Sequence, residues 1–209
     1  MKYTIKEIFF TLQGEGYNTG KPAIFCRFAG CNLWNGKEKD RTSAKCSFCD
    51  TDFVGTDGEN GGKYNKDKLV EIIVNLWPKK KLQKFIVFTG GEPLLQLNKE
   101  LIDSLKQNNF KIAVETNGTL LPPKGLDWIC VSPKANADIV LKSGNELKVI
   151  YPQEGLDLVE LEKYKFDNFY LQPLYNDKLK SNTKKTIDYV MNNTKWKLSI
   201  QMHKFLGLK

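Results

Sequence analysis

Short apolar segments alternate with amphipathic segments along most of this 209-residue chain. The apolar segments are enriched in β-branched and aromatic residues, which favours β-strands. Most of them end in Gly, Pro or polar residues, as strands that run into turns do. We predict strands over residues 22–28, 84–89, 111–116, 127–132, 146–151, 168–173 and 197–202.

Several segments between these strands carry apolar residues at helical spacing. They predict helices over 65–77, 97–108 and 180–193, and more weakly over 155–163. Asn65 is a suitable N-cap for the first helix. Strands that alternate with helices favour a parallel sheet with right-handed crossovers. The strand count suits an incomplete barrel, so we predict an α/β fold, a partial (β/α) barrel with an open mouth, in a single domain over residues 1–209.

Residues 29–63 interrupt this pattern with a long loop rich in Gly, Lys and Asp. A loop of this length inside a compact domain is usually functional. It holds Cys31, Cys46 and Cys49, the last two as C-x-x-C. A structural zinc site would need a fourth Cys or His nearby, but His203 is the only histidine in the chain. Three thiolates on a cubane iron–sulfur cluster would instead leave one iron open to a non-protein ligand.

Composition and charge narrow the function classes. No apolar run approaches the roughly 20 residues of a membrane span, and the N-terminus lacks a signal-peptide pattern. Five clustered cysteines do not indicate a disulfide framework, so we expect a cytoplasmic protein. The net charge of +8 rests on lysines, including the run Lys79–Lys81, with only Arg27 and Arg41 as arginines. Arginine is the usual residue for base and phosphate contacts, so we expect no nucleic-acid partner.

Strand alternation and strand ends suggest where binding residues lie. On the first predicted strand, Arg27 lies on the face opposite Cys26, and we expect it to face the barrel mouth and an anionic ligand. Cys26 and Cys130 are expected to pack in the core. Barrels carry their chemistry at the carboxyl ends of their strands, although turn geometry alone explains any single Gly or Pro there.

The cysteine loop and the sequence Gly90–Pro93 together resemble the radical S-adenosylmethionine (SAM) superfamily. Its members typically hold a [4Fe–4S] cluster with C-x3-C-x2-C, whereas 14 residues separate Cys31 from Cys46 here. With an early LQGEG and a late QMHKFLGL, the chain is most similar, over essentially its whole length, to the 7-carboxy-7-deazaguanine synthase family. The resemblance implies a radical SAM barrel, with the cluster on Cys31, Cys46 and Cys49 and SAM on the open iron.

The resemblance also implies residues that contact SAM. Gly90 and Gly91 suit a close approach of the backbone to the methionyl group, and Glu92 suits an ammonium. Phe48 would lie near the adenine, with packing beneath the loop as the alternative. The remaining residues implied to contact SAM are Asp50, Glu115, Asn117, Ser132, Pro133, Lys134, Gln172 and Pro173.

For the substrate, the resemblance implies 6-carboxy-5,6,7,8-tetrahydropterin, which rearranges to 7-carboxy-7-deazaguanine with loss of ammonia in queuosine or deazapurine biosynthesis. Gln13 and Glu15 offer groups that match the hydrogen-bonding edge of a pterin, although Gly-Glu-Gly also forms a plain turn. The other implied substrate contacts are Leu12, Gly14, Arg27, Thr89 and His203, the last with a structural role as its alternative. Thr51 would ligate Mg²⁺ together with the substrate carboxylate.

Partners and rival functions follow from the same features. The resemblance implies a flavodoxin or ferredoxin as electron donor and a homodimeric state. In one alternative function the chain is still a radical SAM protein, but it is an activase that installs a glycyl radical on a partner protein. A second rival, of another class, is a zinc module that binds nucleic acid through its lysines.

Overall fold

The computed structural model describes residues 2–78 and 83–209. The predicted lysine run Lys79–Lys81 lies outside the described residues. None of the described helices is long and apolar enough to cross a membrane.

The described strands form one sheet that does not close on itself. They are β1 (Tyr3–Leu12), β2 (Pro22–Phe28), β3 (Gly62–Tyr64), β4 (Lys84–Gly90), β5 (Phe110–Thr116), β6 (Trp128–Val131), β7 (Ser143–Tyr151), β8 (Lys165–Pro173) and β9 (Trp196–Leu198). Their order is β3-β1-β2-β4-β5-β6-β7-β8-β9. Each neighbouring pair from β2 to β9 is parallel, while β1 is antiparallel to β2 and β3. This confirms the predicted α/β fold with an open, partial barrel.

Two strands lie outside the prediction and one is shorter than predicted. β1 escaped notice because its register shifts between Ile5 and Glu7, which breaks the alternation of buried and exposed residues. β3 has only three residues. The predicted strand over 197–202 ends at Leu198 because the chain then leaves the sheet, and Met202 N donates to Gly14 O at 2.9 Å.

Helices α1 (Lys66–Leu76), α2 (Lys99–Gln107) and α4 (Leu179–Asn192) match their predicted segments within two residues at each end. The short helix α3 (Leu158–Leu161) covers only part of the weakly predicted segment 155–163, and the short helix α5 (Met202–Leu206) was not predicted. Asn65 is the N-cap of α1, as predicted, because its side chain accepts a hydrogen bond from Lys68 N at 2.9 Å. Packing of α1 and α2 against β1 and β5 buries one apolar core, and a second core lies beneath α3 and α4.

The tip of the β1–β2 hairpin reaches across to β6 and β7. Tyr17 stacks on Trp128 with ring centroids 4.9 Å apart, and both donate hydrogen bonds to Glu146 Oε2. Gly16 has a φ of +64°, and a Cβ there would lie 1.9 Å from Glu146 Oε1. A side chain at position 16 would therefore push the tip away from the sheet and displace the polar residues that precede it.

Candidate functional site

One cavity of about 340 Å³ gathers nearly all of the residues that the sequence analysis selected. It lies among the carboxyl ends of β4, β5, β6 and β8, the cysteine loop and the hairpin tip, the location expected for a barrel of this class. The selected residues that line it are Leu12, Gln13, Gly14, Glu15, Arg27, Cys31, Cys46, Phe48, Cys49, Asp50, Thr51, Thr89, Gly90, Gly91, Glu115, Asn117, Ser132, Lys134, Gln172, Pro173 and His203. Glu92 and Pro133 do not.

The three loop cysteines reach the cavity as free thiols, while Cys26 and Cys130 are buried in strands, as expected. Leu33 N donates to Cys31 Sγ at 3.4 Å. The hydrogen bond from Cys46 lowers the pKa of Cys49 to about 6, although burial acts in the opposite direction. Burial raises the pKa of Cys31, and the hydrogen bond to Cys49, together with burial, raises the pKa of Cys46. Of the three thiols, only Cys49 is therefore favoured as a thiolate, and iron binding would displace the protons of the other two.

The thiols do not form a site for a single ion. Among residues 2–78 and 83–209, no group of three or more His, Cys, Asp or Glu side chains could hold one metal ion. Zinc would draw its thiolates to about 2.3 Å from one centre, whereas a cubane spreads its ligands around a larger body. Three free thiols at one cavity are the number of protein ligands that a cubane with one open iron needs.

Gly90 and Gly91 are required by contacts within the protein. A Cβ on Gly90, whose φ is +129°, would lie 2.2 Å from Phe28 O. A Cβ on Gly91 would lie 2.0 Å from Gly30 O and 2.9 Å from Cys31 Cβ. The two glycines thus let the end of β4 pack against the start of the cysteine loop, a reason for glycine that is independent of any ligand.

Glu92 is fully buried and is not among the residues that line the cavity. Its carboxylate accepts hydrogen bonds from Leu94 N, Thr116 Oγ1 and Asn117 N, at 2.8 to 2.9 Å. Burial raises its pKa, against these donors. Glu92 therefore ties the end of β4 to the end of β5, and its contact with the ammonium of SAM stays a prediction. Pro133 is also buried outside the cavity lining.

A buried ion pair lies at the hairpin side of the cavity. Lys148 on β7 is 3% exposed, and its Nζ lies 2.5 Å from Glu15 Oε2 and 3.5 Å from Glu115 Oε2. Burial alone would raise the pKa of Glu15, but the charge and hydrogen bond of Lys148, with help from Gln201 and His203, lower it to about 2. Glu15 is therefore an ionised hydrogen-bond acceptor inside the protein.

The sequence analysis missed Lys148 and Gln201. Gln201 Nε2 donates to Glu15 Oε1 at 3.0 Å, and Gln13 Nε2 donates to Glu115 Oε1 at 2.9 Å, so one polar network joins the hairpin tip to β5 and the C-terminal segment. A signal for Lys148 was present, since it alternates with Leu147 and Val149 on a buried strand. A lysine at that position must face the barrel interior.

Arg27 and Asp50 line the cavity but already have protein partners. Arg27 Nε donates to Glu7 Oε1 at 2.9 Å, which the sequence analysis did not anticipate. Asp50 Oδ2 accepts from Lys204 Nζ at 2.6 Å, and so joins the cysteine loop to the C-terminal segment. His203 packs against Gly14, where a Cβ would lie 2.3 Å from its Nδ1.

Comparisons with known proteins agree with this geometry. The family model of the Radical SAM superfamily matches residues 41–171. The chain is 54% identical to a 7-carboxy-7-deazaguanine synthase from Burkholderia multivorans and 50% identical to one from Bradyrhizobium diazoefficiens, over the full length of all three. The chain belongs to the 7-carboxy-7-deazaguanine synthase family of radical SAM proteins. The fold is also similar to the crystal structure of QueE from Escherichia coli, with a TM-score of 0.75 and 30% identity over 97% of this chain and 95% of that one.

Membership in the superfamily implies a [4Fe–4S] cluster and SAM as cofactors. The residues around the cysteines offer polar and aromatic groups that suit a cluster and SAM. Lys134 Nζ donates to Ser132 O and Oγ at 2.6 and 2.8 Å and lies 6.0 Å from the centre of the Phe48 ring. Burial lowers the pKa of Lys134, although the nearby cysteine thiols oppose the shift. Lys134 is half-buried, so a lysine whose charged form is disfavoured by burial stands beside the thiols.

Proposed function

We propose that this protein is a radical SAM carbon–nitrogen lyase that converts 6-carboxy-5,6,7,8-tetrahydropterin to 7-carboxy-7-deazaguanine with loss of ammonia. The observation that carries the proposal is that one cavity is lined both by the three cysteines and by the buried, ionised Glu15. Full-length similarity to relatives with that name supports it. A cavity of about 340 Å³ that is lined by polar and charged side chains suits a bicyclic substrate with a carboxylate, which favours the lyase over the activase.

The proposed division of the cavity places the cluster on Cys31, Cys46 and Cys49 and SAM along the strand ends. When bound, these cofactors supply a 5′-deoxyadenosyl radical that takes a hydrogen atom from the pterin. The groups of the cysteine loop and the strand ends proposed to hold SAM are those of Phe48, Asp50, Gly90, Gly91, Glu115, Asn117, Ser132, Lys134, Gln172 and Pro173.

The substrate would lie between the hairpin tip and Arg27. Glu15, held ionised by Lys148, accepts from the N–H groups of the pterin edge, and the Gln13 amide adds a neutral polar partner. Arg27 shares its charge between Glu7 and the substrate carboxylate. Leu12, Gly14, Thr89 and His203 complete the proposed substrate contacts.

An anaerobic assay tests the reaction. Protein reconstituted with iron and sulfide, then supplied with a low-potential reductant, SAM and Mg²⁺, should convert the carboxypterin to a product with the ultraviolet spectrum and mass of 7-carboxy-7-deazaguanine. SAM should be regenerated, so methionine should not accumulate in proportion to product. Recovery of intact pterin alongside steady cleavage of SAM would contradict the proposal.

Mg²⁺ is proposed to bind at Thr51. The flanking carboxylates are engaged elsewhere, since Asp50 contacts Lys204 and Asp52 Oδ2 lies 2.7 Å from Lys6 Nζ. The protein would therefore contribute the Thr51 oxygens as ligands of the ion. The substrate carboxylate and water molecules would supply the remaining ligands, an arrangement that Mg²⁺ prefers.

Thr51→Ala should raise the Mg²⁺ concentration needed for half-maximal turnover by about tenfold, the scale of losing one metal-site partner. Iron content and SAM cleavage should stay near their original values, because the cluster ligands are intact. Ser43→Ala removes another hydroxyl from the same loop, one that donates to Asp40 O, and should leave the Mg²⁺ dependence unchanged. An equal Mg²⁺ requirement in Thr51→Ala and Ser43→Ala would place the ion elsewhere.

Further proposals follow from the family. The reducing electron would come from a flavodoxin or ferredoxin, the protein would act as a homodimer in the cytoplasm, and its product would serve queuosine or related deazapurine biosynthesis. Because the lysines are spread over the chain, we propose that the protein has no nucleic-acid partner.

A further inference from the structure

The two arginines of the chain both lie at the site, while every other basic residue except His203 is a lysine. Arg27 lines the cavity, and Arg41 belongs to a 3-10 helix, Glu38–Ser43, within the cysteine loop. Arginine offers a planar fork of donors that lysine cannot reproduce. In a chain whose other basic residues are nearly all lysine, an arginine in this loop indicates contacts that need a guanidinium.

Arg41 holds the C-x-x-C turn from outside the cavity. Its Nη1 donates to Ser47 O and to Cys49 O, both at 3.0 Å. Its Nε and Nη2 donate to the two carboxylate oxygens of Glu38, at 2.7 and 2.6 Å. One guanidinium therefore joins the short helix to two carbonyls of the C-x-x-C turn, including that of Cys49.

The guanidinium is also anchored to the protein core. Its carbon lies 4.1 Å from the centre of the Trp34 ring, a cation–π contact. Trp34 is buried and packs edge-on against the buried Phe53, with ring centroids 5.6 Å apart. Because 14 residues separate Cys31 from Cys46, the C-x-x-C turn is far along the chain from its third partner. Arg41 links this turn to an aromatic pair that is fixed in place.

We propose that Arg41 is a positioning residue that clamps the C-x-x-C turn in the geometry that accepts the cluster, and that its positive charge raises the reduction potential of that cluster. Carbonyls drawn outward by the guanidinium fix the peptide planes around Cys49, so its thiolate stays directed into the cavity. Glu38 pairs with Nε and Nη2 and offsets part of the charge, while Nη1 faces the turn. The remaining positive potential at the turn favours the reduced cluster, which carries one more negative charge. The proposal rests on the cysteine triad and is independent of the pterin.

Chelation kinetics and redox titration of the reconstituted holoenzyme test it. In Arg41→Lys, which keeps the charge but loses the fork, a ferrous chelator should remove iron about tenfold faster, while the reduction potential stays near that of the original protein. In Arg41→Gln, iron loss should be similarly fast and the potential should shift to a more negative value. Lys39→Gln removes an exposed charge from the same helix and should leave iron loss unchanged.

Iron loss from Arg41→Lys at the original rate would overturn the clamp, because a charge without a fork would then suffice. An unchanged potential in Arg41→Gln would overturn the electrostatic effect. Thermal unfolding of the apo forms shows whether each variant folds, and if Arg41→Gln does not fold, Arg41→Lys still decides the clamp. No pterin enters these measurements, so failure of the proposed reaction would leave the test intact.

Discussion

Replacing Cys31 with alanine is expected to abolish both cluster assembly and turnover. Two remaining thiols cannot hold a cubane in the cavity, and without it SAM is not cleaved. We expect iron per chain to fall to background after reconstitution and activity to fall by at least about 10³-fold, as when an essential catalytic group is removed. Alanine retains the Cβ that packs near Gly91, so the fold of the apoprotein should survive.

Cys26→Ala is the matched control, because Cys26 is a fully buried cysteine on β2 outside the cavity. It should cost about 1 kcal/mol of stability, as small core truncations do, and should retain the full iron content. Electron paramagnetic resonance of the reduced proteins and metal analysis report the cluster directly. A Cys31→Ala protein that still cleaves SAM would exclude Cys31 as a ligand.

The parts of the fold that depend on regular periodicity could be predicted from the sequence. The parallel strands and the main helices could be predicted because their apolar residues follow regular periodic patterns. The start of α1 could be predicted because the Asn65 side chain accepts a hydrogen bond from a backbone N–H within the first turn. β1 could not be predicted in this way, because the register shift between Ile5 and Glu7 hides its alternation. The strand predicted over 197–202 was too long because tertiary contacts with Gly14, remote in sequence, turn the chain away.

The site residues that could be predicted are those whose role follows from neighbouring residues in the sequence. Residues whose role depends on partners far along the chain could not be predicted. The cysteine spacing is local, so the triad was recognised. Glu92 has the right residue type at the right strand end, but two of its hydrogen-bond donors, Thr116 at the end of β5 and Asn117 directly after it, are more than 20 residues away in sequence. Lys148 alternates with the buried Leu147 and Val149, so its inward direction could be predicted locally, whereas its partner Glu15 lies 133 residues away. Pairing between residues that are distant in sequence is therefore the part of the site that local patterns do not predict.

Lys148→Met should reverse the direction in which the ionisation of Glu15 changes the stability of the protein with pH. In the original protein the pKa of Glu15 is about 2, below its ordinary 4.5, so ionised Glu15 contributes about 3 kcal/mol above pH 4.5, and this is lost as pH falls toward 2. Without Lys148, burial raises the pKa of Glu15 above its ordinary value. The stability of the variant should then decrease as pH rises from 5 to 8, where this contribution of Glu15 in the original protein is constant.

The same substitution should also weaken binding of the pterin. An uncompensated buried carboxylate costs about 3 kcal/mol or more, which corresponds to a fall in melting temperature of roughly 10 °C at pH 7. Loss of the ionised Glu15 acceptor should weaken pterin binding by about tenfold or more, with SAM binding little changed. The double variant Lys148→Met/Glu15→Gln removes the uncompensated charge, so it should recover stability but not pterin affinity. Recovery of both would show that the ion pair serves the fold alone, and a Lys148→Met protein with the original pH profile would show that Lys148 does not hold Glu15 ionised.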